Sequence, residues 1–230
     1  DEVRPSGGVL NRDLRAERGV NWEVGGRLHP DALPLYLDVS AFYLRLDNTI
    51  VERQDDATGR ERYRNTGTTD QRGLEALLTW DQTWTGGAVE RVRGSLAYTG
   101  HFFAFADYRT EAGDSTGNAL PGVPRQQLVG TFDLHLRKDF YCNLTVQRTG
   151  EVPLNDANTV FAGAFTVAHA RVGWGGGRVG PFRTDIFFGV NNLFDTDYSL
   201  GNDLNAFGRR YFQPAAGRNW YGGVALCFGA

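Results

Sequence analysis

The chain contains 230 residues, of which 41% are hydrophobic and 22% are charged, and its formal net charge is −3. This balance excludes a disordered chain, and the lack of a lysine- or arginine-rich block argues against a nucleic-acid partner. No apolar stretch approaches the roughly 18 to 20 residues of a membrane-spanning helix, which excludes a helical membrane protein. The 30 glycines and 13% aromatic residues, against only 8 prolines, favour short strands joined by turns.

Apolar and polar side chains alternate with a period of two in nine segments, and none has a convincing helical period. In chain order, the predicted strands cover residues 19–28, 35–46, 71–80, 92–100, 128–137, 141–149, 165–174, 182–190 and 218–228. The sequence therefore predicts an all-β protein.

Each predicted strand has one apolar face and one polar face. The apolar faces include Leu35, Leu37, Val39, Leu74, Leu78, Trp80, Leu96, Phe132, Ile186, Phe188 and Val224. The polar faces include Asp38, Ser40, Glu75, Arg91, Arg93, His135, His169, Arg171, Arg183 and Asp185. Such a sheet has one side for lipid or a core and one side for water.

The connections alternate in length along the chain. Short links such as "HPDALP" and "KDF" alternate with long polar segments at about 47–69, 100–124, 150–163 and 191–217. Short turns on one side and long loops on the other are typical of an outer-membrane β-barrel. The glycine-rich "GWGGGRVG" is predicted to be a tight turn on the short side and not a phosphate loop, because no βαβ unit surrounds it.

Single-chain bacterial barrels have even strand numbers, whereas nine strands are predicted here and the sequence contains no methionine. We therefore expect residues 1–230 to be the last part of a larger antiparallel transmembrane barrel.

Several segments resemble the C-terminal barrel region of TonB-dependent outer-membrane receptors, a family that transports ferric siderophores, cobalamin and some sugars. The segments are "LNRDLRAERGVNWEVGGR", "VSAFYLRLDNTIV", "NTGTTDQRGLEALLTW", "LPGVPRQQLVGTFDL", "GVNNLFDTDY" and "YFQPAAGRNWYGGVALCF". Within "GVNNLFDTDY", asparagine and aspartate are expected to cap the backbone where the strand stops, while Leu193 and Phe194 pin the loop to the barrel rim.

The resemblance implies the last nine strands of a 22-stranded barrel that is filled by a plug domain. It also implies an outer-membrane location, contact with lipid, energy from the TonB complex and uptake of a ferric siderophore or similar scarce ligand. No enzyme activity and no cofactor are expected. The family usually ends at an aromatic residue read by the barrel-assembly machinery; the matching residue is Phe228, which here is followed by Gly229 and Ala230.

Two groups of residues are candidates for ligand binding. Arg209, Arg210 and Tyr211 lie in the last long segment, where guanidinium groups match the oxygens of an anionic ferric chelate. His101, with Phe102, Phe103 and Phe105, forms a possible aromatic platform on the second long segment, and an aromatic girdle at the membrane interface is the favoured competing interpretation. Cys142 and Cys227 lack metal-ligand spacing, and no metal site is predicted.

Two other classes of protein stay open. A passive pore or a small self-contained barrel would have its first and last strands paired. A membrane-bound hydrolase would need a nucleophile and a base together at one rim, and Ser95 and His169 are the candidates for these roles on the predicted strands.

Overall fold

The computed structural model describes residues 13–54, 61–65, 67–110 and 113–228. A nine-stranded sheet dominates it. Its strands are β1 (Arg18–Leu28), β2 (Leu35–Asp47), β3 (Thr68–Thr83), β4 (Val89–Asp107), β5 (Gln126–Leu136), β6 (Phe140–Thr149), β7 (Phe165–Val179), β8 (Phe182–Asn191) and β9 (Asn219–Phe228). The all-β prediction and its nine strands are confirmed.

Each strand pairs antiparallel with the next one along the chain, from β1 to β9 in order. This simple meander needs only hairpin connections. Among the described residues, β1 and β9 each have one neighbour and lie at the two edges of the sheet. The sheet is open, which does not agree with a small closed barrel.

Two strands run further than the sequence patterns predict. β4 continues past Gly100 to Asp107, because its outer half stays paired with the start of β3. β7 continues past Trp174 to Val179, and the register shifts between Trp174 and Gly177. The glycine run predicted to be a turn is therefore an irregular stretch of strand, since glycine tolerates the bend of a bulge.

The two faces of the sheet follow the predicted pattern. Directly opposed residues share a face, as Leu37, Leu78 and Leu96 do across β2, β3 and β4. On this apolar face the exposed fraction is 40% for Leu74, 40% for Leu78 and 43% for Trp80. A face of this composition suits lipid and not water. We call it the lipid-facing side and the other the inner side.

Aromatic rings border the apolar band at the end with the short turns. Phe140 and Trp174 stack with their centroids 6.2 Å apart, and Phe182 meets Phe228 at 5.7 Å. The indole nitrogen of Trp174 donates a hydrogen bond of 2.8 Å to the carbonyl of Lys138. Amphipathic rings prefer the membrane interface, so this row marks one edge of the apolar band.

Glycines on the inner side lie directly opposite aromatic residues. Phe42 is paired with Gly73, and a Cβ at Gly73 would collide with that ring. The same arrangement joins Tyr141 to Gly173, Tyr221 to Gly189 and Phe187 to Gly223. The missing side chain lets each ring lie across its neighbouring strand, which covers the glycine backbone.

Four long loops leave the end of the sheet opposite the short turns, and each contains a short hairpin. We name them loop A (48–67), loop B (108–125), loop C (150–164) and loop D (192–218). The hairpins pair Ile50–Gln54 with Glu61–Asn65, Arg109–Thr110 with Gly113–Asp114, Val152–Pro153 with Phe161–Ala162, and Ser199–Asn202 with Phe212–Pro214. In the described part of the chain, no helix has the length and apolarity needed to cross a membrane.

The assignment of the two faces predicts different tolerance to charge at adjacent positions. Leu78→Arg should reduce the stability of the membrane-inserted protein by about 2–4 kcal/mol, because it places a guanidinium in hydrocarbon. Thr79→Arg, one residue along on the inner side, is the matched control and should cost much less. Urea unfolding of the protein in lipid vesicles measures both, and equal losses would contradict the assignment.

Candidate functional site

The inner side carries an aromatic group where β2 and β4 approach the loops. The ring of Phe103 contacts His101 at 5.0 Å and Phe42 at 6.1 Å between centroids, both edge to face. His101 and Phe103 lie on the inner side, opposite Gly73 and Gln71. They therefore do not belong to a membrane girdle, which was the competing interpretation. Phe102 points to the lipid-facing side instead.

A cavity of about 270 Å³ adjoins this aromatic group where β4 meets loop B. His101, Phe102, Phe103, Val123 and Arg125 are among the residues that line it. The backbone of loop B is tied to the strand because the His101 N–H donates to the Arg125 carbonyl at 2.9 Å. The His101 Nδ1 lies 3.0 Å from the Pro124 carbonyl oxygen. That oxygen can only accept, so Nδ1 carries a proton in this contact. No local sequence pattern distinguishes Arg125 from the other arginines of the chain.

A second cavity, of about 350 Å³, lies between the inner side and loops B, C and D. Gln127, Gln147 and Thr149 line it from β5 and β6, and Tyr198 lines it from loop D. The Tyr198 ring stacks on Phe165 with the centroids 4.6 Å apart. Amides, hydroxyls and an aromatic face give this cavity polar but mostly uncharged walls.

The loops around these cavities share a hydrophobic cluster. Val152, Leu154 and Ala162 of loop C pack with Tyr211 of loop D, and Leu154 is fully buried. Tyr211 is only 8% exposed. The structure therefore gives the Tyr211 ring a packing role, because a buried ring offers no surface to a ligand.

Asp156 of loop C joins three loops through hydrogen bonds. Its carboxylate accepts from the Tyr108 hydroxyl at 2.9 Å and from the Asn205 side-chain amide at 3.0 Å. Its backbone carbonyl accepts from the Asn118 amide at 2.8 Å, and its N–H donates to Asn205 at 3.0 Å. The residue is 8% exposed. Loops B, C and D are therefore held as one unit by a buried carboxylate.

The small hairpin of loop B has its own electrostatic anchor. Asp114 accepts a hydrogen bond of 2.9 Å from the N–H of Thr116. Hydrogen bonds from the Thr116 side chain and backbone lower the pKa of Asp114, with a smaller contribution from Arg109. The ionised carboxylate thus stabilises this turn fully at pH values above the ordinary pKa of an aspartate. This stabilisation is lost as the pH falls through the lowered pKa of Asp114.

Arg209 and Arg210 lie beside Tyr211 in loop D, and both are exposed. Arg209 closes a short 3₁₀ turn (Phe207–Arg209) and has a φ of 61°. Exposure leaves both guanidinium groups free to meet an anion. The structure thus divides the predicted ligand residues into an inner pair, His101 and Phe103, and an exposed pair on loop D.

The element "NNLFD" fixes the start of loop D. Asn192 has a φ of 52°, is 1% exposed, and exchanges hydrogen bonds of 2.8 and 2.9 Å with the backbone of Thr196. Asp195 accepts from the Arg218 N–H at 2.7 Å, which joins the two ends of the loop. The predicted capping role is confirmed. The predicted pinning by Phe194 is wrong, because its side chain is 71% exposed.

A polar network on the inner side links β6, β7 and β8. The Arg171 guanidinium lies 3.9 Å above the Phe187 ring and donates to the Tyr141 hydroxyl at 2.9 Å. That hydroxyl donates in turn to Asp185 at 2.9 Å. The sequence placed Arg171 and Asp185 on this side, but the tyrosine between them becomes visible only in the register of the strands.

The hydrolase interpretation finds no geometric support. Ser95 shares a hydrogen bond of 2.6 Å with Thr131, while His169 contacts Asn191 at 3.3 Å, and β5 and β6 separate the two residues. A nucleophile needs its base within hydrogen-bond reach. Across the described ranges, no three histidine, cysteine or acidic side chains are placed to hold a metal ion.

The model of the TonB-dependent receptor-like β-barrel matches residues 3–193, which is most of the chain. The chain belongs to this family. The family is an outer-membrane family of transport receptors and not of enzymes, and its barrel accounts for the open sheet with unlike faces and long loops at one end.

Solved structures support the fold at low sequence identity. The ferric yersiniabactin uptake receptor FyuA of Yersinia pestis aligns over 97% of this chain and 32% of its own, with 21% identity and a TM-score of 0.71. The siderophore receptor PiuA of Acinetobacter baumannii aligns over 90% and 28%, with 20% identity and a TM-score of 0.65. The copper transporter OprC aligns over 92% and 32%, with 17% identity and a TM-score of 0.64. The chain spans about a third of these proteins.

The role of Asp156 is open to a direct test. Asp156→Ala should speed hydrogen exchange of backbone amides in loops B, C and D together by roughly 30-fold, because loss of its hydrogen bonds costs about 2 kcal/mol. Asp107→Ala is the control, since that carboxylate is 69% exposed. Faster exchange confined to loop C would contradict the assignment of the three loops to one unit.

Proposed function

We propose that this chain forms part of the barrel wall and the outer loops of an active uptake receptor in the outer membrane. One observation carries the proposal: loops B, C and D are bound together, with one cavity between them and the inner side and another where loop B meets β4. Long loops that converge over the inner side of a barrel are placed to capture a ligand on its way inwards. A ferric siderophore is the first candidate ligand.

The first cavity offers the clearest ligand contacts. Arg125 supplies charged donors, and His101 and Phe103 supply aromatic faces, so an anionic chelate with unsaturated rings fits this wall. Arg209 and Arg210, exposed on loop D, would meet the ligand earlier and favour the same sign of charge. The names of the aligned structures include both siderophore and copper transport, so the fold alone does not select the cargo.

The inner side would contact a plug domain and the receptor would draw energy from TonB, as its family membership implies. The network of Arg171, Tyr141 and Asp185 is a suitable surface for such a domain, because it is polar and already ordered. Transport against a gradient then needs the plug to move, and the wall described here supplies a fixed frame.

Phe228 is proposed as part of the barrel-assembly signal. Its ring lies on the lipid-facing side and meets the Phe182 ring with the centroids 5.7 Å apart. Phe228→Ala should lower the amount of folded receptor in the outer membrane several-fold, whereas Phe228→Trp should retain it. Heat-modifiable mobility of membrane fractions measures both. The matched control is Phe182→Ala, and an equal loss there would indicate a packing role for both rings.

Energy dependence distinguishes a receptor from a passive pore. In cells that depend on the intact receptor, uptake of radiolabelled iron as citrate, hydroxamate and catecholate complexes should stop for the preferred complex when a protonophore is added. A pore would continue to admit it. Persistent uptake in the presence of the protonophore would overturn the proposal of active transport.

The ligand contacts are tested separately from the energy source. His101→Ala combined with Arg125→Ala should weaken binding of the preferred complex about 10-fold or more, because it removes the charged donors of Arg125 and one aromatic face of the cavity. Arg93→Ala, on the inner side near the short turns, is the control and should leave binding unchanged. Equal binding by both variants would remove the first cavity from the ligand path.

A further inference from the structure

Four residues form a row across the lipid-facing side, just beyond the apolar band at the loop end. Trp22 lies opposite Tyr43, Tyr43 opposite Arg72, and Arg72 opposite Phe102. We name this set the rim row. Phe102 is 64% exposed, so the row presents an open aromatic ring on one side of Arg72, with the rings of Tyr43 and Trp22 on its other side.

The charge of Arg72 is not balanced within the described residues. Its guanidinium lies over the Tyr43 ring at 5.5 Å, and no described carboxylate approaches it within 4.0 Å. The nearest acid along its strand, Asp70, is already engaged by the Tyr43 hydroxyl at 2.8 Å and by Arg45 at 3.6 Å. An exposed guanidinium with this surrounding is available to an anion from outside the chain.

The position of the row relative to the membrane follows from its neighbours. The adjacent row towards the short turns contains Ala41, Leu74 and Gly100, which is apolar. The adjacent row towards the loops contains Arg45 and Asp70, which is charged. The rim row therefore lies where hydrocarbon gives way to headgroups, the depth at which aromatic rings and arginines are favoured.

We infer that the rim row binds the phosphate-bearing headgroup of a lipid in the outer leaflet. Arg72 contacts the phosphate, and Trp22 and Phe102 pack beside the headgroup and the upper acyl chains. The inference rests on the outer-membrane location in the proposed function, and it concerns the lipid-facing side of the strands. Phe102 is the member of the rim row that also lines the first cavity. A lipid is favoured over a soluble anion because exposed aromatic rings flank the cation on the lipid-facing side.

Binding of a defined lipid tests the inference. The intact receptor in mild detergent is titrated with lipid A that carries both phosphates, and binding is followed by native mass spectrometry. Arg72→Gln should weaken binding at least 10-fold, and Arg72→Lys should recover part of it. Arg93→Gln is the matched control on the inner side, where Asp81 and Asp133 lie opposite the arginine, and it should bind as the unaltered protein does.

Three results would overturn the inference. The first is that Arg72→Gln binds lipid A as tightly as the unaltered protein does, and the second is that fully dephosphorylated lipid A binds as tightly as the phosphorylated form. The third is displacement of the lipid by inorganic phosphate at the same concentration, which would indicate a site for soluble anions. Heat-modifiable mobility of each variant confirms that it is folded. Energised uptake by the unaltered receptor and by Arg72→Gln is measured in parallel. If the unaltered receptor shows no energised uptake while lipid binding still depends on Arg72, the proposed transport is wrong and the lipid inference stands.

Discussion

Every backbone polar group of a chain that lies in lipid must find a partner inside the protein, and the rest of this structure depends on that constraint. The antiparallel ladder from β1 to β9 meets it with hydrogen bonds between neighbours. A ladder of this kind forces side chains to alternate, so the same bonds create one face for lipid and another for water. The register that pairs Leu37 with Leu78 also places Tyr36 opposite Thr79 on the inner side.

The loops meet a different constraint, because they must order themselves outside the ladder. They do so with a small hydrophobic cluster around Leu154 and with side-chain amides. These amides form hydrogen bonds to backbone groups that have no partner strand. Asn118 and Asn205 bind the backbone of Asp156, and Asn158 binds the backbone of Ala119, in each case between distant segments. Short polar side chains are suited to this work because they reach the backbone without a long, flexible stem. The cavities follow from this arrangement, since loops that are held together leave fixed spaces beneath them.

Much of the fold could be predicted from the sequence because period-two alternation reports directly on the pleat of a strand. The two faces of β3 were predictable for that reason, and the capping role of Asn192 was predictable because asparagine commonly binds backbone groups at turns. The burial of Tyr211 and the exposure of Phe194 were not predictable, since burial in a loop depends on which distant segment lies next to it. Arg125 was missed for the same reason: its place beside His101 is set by a backbone bond between a loop and a strand, and no local pattern records that bond.

Aromatic rings on the inner side lie flat against the sheet and are held in place by their neighbours. Rings such as Tyr141 and Phe187 lie across glycines of the adjacent strand, so they cover backbone without projecting inwards. Arg171 is held between these two rings, with its Nε buried and without a hydrogen-bond partner among the described residues. An unmade hydrogen bond of this kind costs about 1–3 kcal/mol, and a desolvated cation–π contact offsets about 2 kcal/mol of it. A wall built in this way has little freedom to rearrange, because moving one ring would uncover the backbone of the adjacent strand.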